Sequence, residues 1–291
     1  MANRGDIGHS IPSMKTNLMN LDRDDNILIW FGHSSYFIQI DGKRLIVDPV
    51  FSEVASPVPF FPKALPGTNA YTPNEIPELD YLIITHDHWD HLDYATVMGL
   101  KVSSIICPLG VGAHFERWGL KNVAEMDWNE SAKLADGFTI DCLPARHFSG
   151  RGWHKNQSLW ASFLIQTPNI KIYIGGDGGY GEHFRAIGNK FIGIDLAILE
   201  NGQYNINWRD VHMFPEDTVR ATEDLKAKAL LPIHNSKFIL STHPWNEPLD
   251  AIAAICECKN FQLLTPVIGQ KVELKNLRQT FSKWWTKDRE I

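Results

Sequence analysis

Short apolar blocks alternate with polar, glycine- or proline-containing turns along most of the chain. Residues 27–31, an Ile-Leu-Ile-Trp-Phe run, read as a buried strand. Residues 36–40 and 44–47 read as two strands joined at Asp41-Gly42, a two-residue hairpin signal. Pro49 stops the second and leaves Asp48 at its end. Residues 81–84 form another buried strand, followed by a short helix over 94–100. A strand over 104–107, a helix over 112–118 and a strand over 123–126 follow. Asp136-Gly137 turns a hairpin into a strand over 138–143. Pro168-Asn169 joins strands over 159–166 and 170–174, after which comes Gly175-Gly176-Asp177-Gly178-Gly179-Tyr180. A strand over 196–199, a helix opened by Pro215 with Glu216 and Asp217 in its first turn, a strand over 229–232 and a helix over 249–258 complete the regular part. From residue 261 onward the pattern gives edge strands. The second half repeats the first in outline: a hairpin, then an aspartate at a strand end, Asp48 and then Asp177. Hairpins with flanking helices in two similar halves predict an α+β fold, a four-layer αβ/βα sandwich with two facing sheets and helices outside. The expected organisation is an N-terminal arm over 1–25, one domain over 26–275 and a C-terminal tail over 276–291.

Two stretches fall outside this pattern. Residues 51–77 are proline-rich and read as a long loop, of the kind that is functional or mobile inside a compact domain. Their Phe51, Phe60, Phe61, Leu65 and Tyr71 suit the wall of an apolar pocket as well as they suit packing onto the body. In the arm, Met14, Leu18, Met19 and Leu21 are spaced as one stripe of a short helix, favouring an arm packed on its own domain over a membrane-facing surface. Trp284-Trp285, between lysines, reads as a docked tail rather than an interfacial anchor.

Composition narrows the class. Hydrophobic residues at 44% and charged residues at 21% are those of a globular protein, and a formal charge of −6 argues against a nucleic-acid surface. Met1 to Asn26 lacks a signal-peptide core, and no apolar run nears the ~20 residues of a membrane helix. A cytoplasmic protein is expected, with peripheral membrane contact as the variant and the oligomeric state left open. Cys107 and Cys142 read as buried thiols. Cys256 and Cys258 form a C-x-C pair that lacks further ligands for a second metal site.

The chemistry concentrates in residues 85–93, Thr-His-Asp-His-Trp-Asp-His-Leu-Asp, directly after a strand. Continued as a strand, this stretch would put His86 and His88 on one side, and a helix start would bring in Asp90 and His91. Further strand ends carry His147, Asp177 and His234, and His33 lies in a tight turn where a structural role is as fitting as a place in a site. Seven groups exceed one tetrahedral zinc but match two metals that share a carboxylate. The expected assignment is His86, His88 and His147 to one ion, Asp90, His91 and His234 to the other, and Asp177 between them. Such a centre holds a hydroxide and lowers the pKa of bound water toward ~7. Two divalent ions are expected, zinc first, with manganese or iron accepted by the same ligands.

His86-x-His88-x-Asp90-His91, with His147, Asp177 and His234 downstream, resembles the metallo-β-lactamase superfamily, whose fold is the sandwich inferred above. Gly32-His33-Ser34-Ser35, Asp48-Pro49-Val50-Phe51-Ser52, Asp90-His91-Leu92-Asp93, Gly176-Asp177-Gly178-Gly179-Tyr180, His212-Met213-Phe214-Pro215-Glu216-Asp217 and Ile233-His234 resemble the branch containing N-acyl-phosphatidylethanolamine-hydrolysing phospholipase D. The ascorbate-6-phosphate lactonase group is a more distant relative. The resemblance spans roughly residues 28–245. It implies catalytic roles for Asp48, as an acid that orients a ligating histidine, for Asp177, and for His212, at the rim of the site against the leaving group or phosphate. His212 is also the alternative to His234 as last ligand; His234 is preferred because it follows a strand. The branch has threonine at the Gly178 position and tryptophan-glycine at Asn235-Ser236, departures that bear on substrate more than on metals. The expected function is metal-dependent hydrolysis of a phosphodiester in a small-molecule or lipid ester, an N-acylated phospholipid included. The alternatives are a lactone or cyclic-ester hydrolase and a metal-binding regulatory protein without turnover; a nuclease is disfavoured by the acidity of the chain.

Overall fold

The computed structural model describes residues 10–134 and 137–289. The first half supplies β1 (Ile27–Trp30), β2 (Tyr36–Ile40), β3 (Lys43–Val47), β4 (Leu79–Ile83), β5 (Val102–Pro108) and β6 (Val123–Met126), with α1 (Tyr94–Gly99) after β4 and α2 (Gly112–Arg117) after β5. The second half supplies β7 (Ser131–Lys133), β8 (Thr139–Leu143), β9 (Ser162–Gln166), β10 (Lys171–Ile174), β11 (Leu196–Glu200), β12 (Ala229–Ile233), β13 (Gln262–Leu263) and β14 (Lys271–Glu273). Helices α3 (His183–Lys190), α4 (Pro215–Asp224) and α5 (Glu247–Cys256) follow β10, β11 and β12. One sheet runs β14-β1-β2-β3-β4-β5-β6 and the other β13-β12-β11-β10-β9-β8-β7. The last strand crosses back to the first sheet and pairs with β1, Leu28 opposite Val272.

The pleat sorts each strand between two cores. Along β1, Leu28 and Trp30 enter the central core between the sheets, while Ile27 and Ile29 enter an outer core under α1 and α2. Along β11, Leu196 and Ile198 face the centre, while Ala197 and Leu199 pack beneath α3, α4 and α5. Period-two burial on both faces explains why these strands read as continuous apolar runs rather than as alternating ones. The result is the αβ/βα sandwich.

Strand polarity places the chemistry. β3, β4, β5 and β6 are mutually parallel, as are β10, β11 and β12. β1 lies antiparallel to β2 and β2 to β3, so β1 shares the direction of β3; β8 likewise shares the direction of β10 through β9. The carboxyl ends of β1, β3, β4 and β5 therefore lie along one edge of their sheet, and those of β8, β10, β11 and β12 along one edge of theirs. Loops 32–35, 48–72, 84–93, 144–161, 175–182, 201–214 and 234–246 leave from these edges.

Several boundaries differ from the sequence pattern. β4 ends at Ile83, so His86 and His88 lie in a loop and not on a strand. Asp93, not a residue nearer the histidines, caps α1, its side chain accepting from the Thr96 N–H; Asp90 and His91 lie in the preceding turn, where His91 and Leu92 N–H donate to the His88 carbonyl. Helix α3 has no counterpart in the expected elements, although Phe184, Ile187 and Phe191 share the spacing of one helical face and are buried together. The short β7 is the strand before the expected hairpin turn and pairs antiparallel with β8. The Asp136 part of the expected turn and the first nine residues of the arm lie outside the described residues.

Instead of a helix, the arm makes only a 3₁₀ turn, Leu18–Asn20, and its four apolar residues divide: Leu18 is buried, whereas Met14 and Met19 are exposed. The arm is nevertheless fastened, through Met14 N–H to the Ile268 carbonyl and Thr16 Oγ1 to the Gly269 carbonyl. Trp284 and Trp285 are buried in the central core, and their indole N–H groups donate to the Thr265 carbonyl and to Asp250 Oδ1. No helix among the described residues is long and apolar enough to cross a membrane. Trp285→Ala should lower stability by about 3–5 kcal/mol, as for a buried aromatic truncation, in denaturant unfolding. A loss within about 0.5 kcal/mol, the size of a surface substitution, would mean that the tail is not part of the core.

Candidate metal centre

The site begins where β3 ends. Asp48 has left-handed backbone, φ +43°, and is buried. Its Oδ1 accepts from the Thr85 N–H at 2.8 Å, and its Oδ2 accepts from Thr85 Oγ1 at 2.6 Å and from His91 Nδ1 at 2.8 Å. The carboxylate thus fastens the 84–93 loop and takes the proton-bearing nitrogen of His91, so Nε2 is the nitrogen left facing the centre. His147 is arranged in the same way: its Nδ1 donates to the Val211 carbonyl at 3.0 Å.

Two clusters result. The ligand-type atoms of His86, His88 and His147 lie within 4.8 Å of one another, and so do those of Asp90, His91 and His234 together with His33. His86 Nε2 is 2.9 Å from His88 Nδ1, which is 3.3 Å from His147 Nε2. Three ring nitrogens at these separations cannot all be satisfied by protons on one another. Asp177 lies between the clusters. Its Oδ2 is 3.2 Å from His91 Nε2 and 3.9 Å from His147 Nε2, and its Oδ1 is 2.9 Å from His234 Nδ1. The Gly176 backbone has φ +62°, and a Cβ there would stand 3.0 Å from Thr85 Cβ and 3.1 Å from the Ala161 carbonyl, so glycine lets this turn approach the 84–93 loop.

The turn at the end of β1 closes the site from the other sheet. His33, φ +51°, donates its N–H to the Asn235 carbonyl and accepts at its own carbonyl from His234 N–H and from Trp30 Nε1. Its Nε2 is 2.9 Å from Asp90 Oδ2, and its ring packs 4.2 Å from that of His234. Ser34 Oγ is 2.9 Å from His234 Nδ1. The structure therefore puts His33 in the site, behind Asp90. His234, φ +65°, is the third non-glycine residue here with left-handed backbone, a kind of local strain that clusters at functional sites.

Charge follows burial and neighbours. Burial would raise the Asp177 carboxyl, but His234 and His91 beside it outweigh burial and hold it well below the usual carboxylate range. Burial would lower His91, but Asp177, Asp90 and Asp48 together push it well above the usual imidazole range. Burial first, and then adjacent histidines, push His86 and His147 well below that range. These two rings are held neutral, with lone pairs available. Buried polar atoms without a hydrogen bond include His91 Nε2, His234 Nε2 and Asp177 Oδ1, all belonging to these clusters. Orphaned buried polar atoms are rare, and a set of imidazole and carboxylate groups around them fits divalent metal.

Two residues that the sequence pattern does not single out complete the surroundings. Glu200, at the end of β11, is fully buried, and its Oε2 is 2.7 Å from His212 Nδ1. Burial would lower His212, but the Glu200 carboxylate outweighs burial and pushes it up to about 9. The His212 ring lies 5.2 Å from His147 and 5.3 Å from His234. Glu200 continues the pattern of a carboxylate at a strand end, as Asp48 and Asp177 do, and that repetition was the signal available for it. Arg151 lies in the loop between β8 and β9. Its Nε donates to the Asp87 carbonyl, its Nη2 to the Leu92 carbonyl, and its guanidinium lies 4.2 Å over the Trp89 ring. Cys256 ends α5 and Cys258 is exposed, and no cluster of metal-type groups among the described residues includes either.

The chain is similar to known proteins over most of its length. An uncharacterised protein of Mycobacterium tuberculosis (strain H37Rv) is 38% identical over 288 residues, covering 94% of this chain and 76% of the relative. N-acyl-phosphatidylethanolamine-hydrolyzing phospholipase D 1 of Caenorhabditis elegans is 28% identical over 254 residues, covering 79% of this chain and 69% of that protein. Among solved structures, an isothiocyanate hydrolase from Delia radicum gut bacteria superposes with a TM-score of 0.68 at 20% identity, over 89% of this chain and 100% of that one, a likeness of fold. The family model of the β-lactamase superfamily domain matches residues 43–235, from β3 through the residue after His234. With that match and the histidine–aspartate clusters it encloses, the chain belongs to the β-lactamase superfamily, as one of its metal-dependent hydrolases.

Proposed function

We propose that the chain is a binuclear hydrolase of phosphodiesters in amphiphilic substrates, with an N-acylated phospholipid as the leading candidate. The observation that carries the binuclear reading is the position of Asp177, shared by two histidine-containing clusters. In this reading His86, His88 and His147 would hold one ion and Asp90, His91 and His234 the other, with zinc as first choice, and Asp177, between the two sets, would serve both. Bound divalent ions acidify water and neutralise charge that develops on a phosphoryl oxygen.

The chain's own residues prepare that chemistry. Asp48 holds His91, Val211 holds His147, Ser34 holds His234 and His33 holds Asp90, each by a contact of hydrogen-bond length. Rings that are already oriented lose little freedom when a cation or a transition state forms. His212, whose ring lies 5.2 Å from His147 and 5.3 Å from His234, would contact an oxygen of the ester. No serine or cysteine nucleophile is needed.

The lipid part rests on two supports. One is similarity to the phospholipase D of Caenorhabditis elegans. The other is a set of exposed apolar side chains, Val58, Phe60, Phe61, Leu109, Trp153, Ile206 and Leu240, on segments that leave the carboxyl ends of strands, where the site lies; Met14, Met19, Tyr94, Met98 and Ile192 are exposed elsewhere. Phe51 and Tyr71, by contrast, pack on Phe31 at 5.2 and 4.8 Å, so the proline-rich loop divides into a packed base and an exposed tip.

Elemental analysis of purified protein is expected to find two divalent ions per chain; saturation at one would overturn the binuclear assignment. Asp177→Asn should abolish retention of both ions together with hydrolysis, and retained turnover would refute its bridging role. Asp48→Asn should weaken metal affinity about 10–100-fold in competitive chelator titration, the usual effect of removing a carboxylate that orients a ligating histidine. A panel of bis-nitrophenyl phosphate, N-acylated phospholipid and lactones decides the substrate class. Turnover of the phosphodiesters is expected, and turnover of lactones alone would replace this reading.

A further inference from the structure

Glu200 is a charged-type side chain with no solvent exposure. Burying a carboxylate is unfavourable unless it is paired and hydrogen-bonded. Both oxygens are occupied: Oε2 accepts from His212 Nδ1 at 2.7 Å and Oε1 from the Met213 N–H at 2.6 Å. Its backbone carbonyl accepts from Thr218 Oγ1 at 2.9 Å, which ties the end of β11 to α4. Although Glu200 lies in one group with Asp177, His212 and His234, its oxygens are already committed, so it serves the histidine rather than a metal.

The same short segment is held from the other side. The carbonyl of Val211 accepts from His147 Nδ1. Residues 211–213 are thus fastened at three consecutive positions: Val211 to a histidine of the first cluster, His212 and Met213 to Glu200. A carboxylate accepts and cannot donate, so it takes the N–H of Nδ1 and leaves Nε2 as the free nitrogen of His212. The ring plane is 25° from that of His234 and 67° from that of His147, which sets it against both clusters. An aspartate at position 200 would be one methylene short of reaching both donors. A glutamine has one acceptor oxygen and would lose one of the two bonds.

We propose that Glu200 is a positioning residue that acts through His212, aiming its Nε2 at the ester oxygen between the two clusters. This rests on the reading that His212 contacts the reacting ester. Raised proton affinity at His212 accords with the arrangement, which stands on geometry alone.

A double-substitution cycle on the metal-loaded protein tests it, using whichever ester of the panel is turned over. Glu200→Gln should lower kcat about 10²-fold, the scale of an active-site group displaced by about an ångström, with KM nearly unchanged and metal content intact. In a His212→Ala background the same Glu200→Gln change should have little effect, because contacting residues that act as one unit are not additive. Equal losses in both backgrounds, or loss of metal from Glu200→Gln, would overturn the proposal. Nitrogen-15-resolved NMR of the imidazoles gives a readout independent of turnover. The wild type should show a far-downfield His212 Nδ1 proton that Glu200→Gln shifts or removes, with the other histidine signals kept as the control for folding. If that proton is unchanged in Glu200→Gln, the positioning role is wrong. If no ester of the panel is hydrolysed, the proposed function fails, while the proton signal still decides the bond.

Discussion

Everything near the centre depends on keeping imidazole nitrogens and a carboxylate buried together with their lone pairs pointing inward. Asp177 shows the constraint most clearly. Its side chain is only 2% exposed, and its charge is sustained by His91 and His234 against burial. Such a cluster is unfavourable unless each ring is held from behind and something electropositive can be accepted in front. The backing groups differ in chemistry but not in effect: the Asp48 carboxylate, the Val211 carbonyl, the Ser34 hydroxyl and the Glu200 carboxylate each engage the Nδ1 of a histidine. The left-handed backbone at His33, Asp48 and His234 belongs to the same arrangement, because it turns strand ends sharply enough for their side chains to meet.

The sandwich makes that convergence stable. Paired β-sheet on both sides and a central core that includes Trp30, Trp284 and Trp285 hold the two edges in register. At the edge itself the halves are stitched by backbone hydrogen bonds between His33 and residues 234 and 235, so a ligand candidate at the end of β12 and the turn after β1 move as one unit. Arg151 does the same for the 84–93 loop by binding its carbonyls, while Trp153, two residues on, is fully exposed. One loop thereby combines a rigid base with a free tip, which is the usual division between scaffold and recognition.

Folds of this kind host many chemistries, and function is carried by the site placed on them. Here the departures from the phospholipase pattern, Gly178 and Asn235-Ser236, sit beside the clusters. Gly178 has the Arg146 backbone nitrogen 3.2 Å from where a Cβ would be, so a larger residue there needs the 146–147 segment to give. Asn235 spends its amide on the Asn201 and Ile233 carbonyls and thus braces β12. Both residues serve packing around the clusters.

Much of this was legible in the chain alone. The apolar runs of β1, β3, β4, β11 and β12 lie between packed layers, so burial on both faces writes them as continuous hydrophobic segments. The His-x-His-x-Asp-His stretch is dense enough to announce metal chemistry wherever it lies, and hairpin-plus-aspartate at Asp48 and Asp177 revealed the two halves. The sequence could not show how His86 and His88 face each other, because β4 stops at Ile83 and a loop, not a pleat, orients them. It left His33 undecided, since a single histidine in a turn has no local signature, and passed over Glu200, whose signal was its place at a strand end like Asp48 and Asp177. Their roles arise from distances between strands far apart in sequence: His33 to Asp90 across 57 positions, His234 to Ser34 across 200. Local pattern determines which segments can be strands and which residues can bind metal. Only the packing of two sheets decides which of those residues are buried together, because burial and pairing, and with them charge and orientation, are properties of the assembled edge.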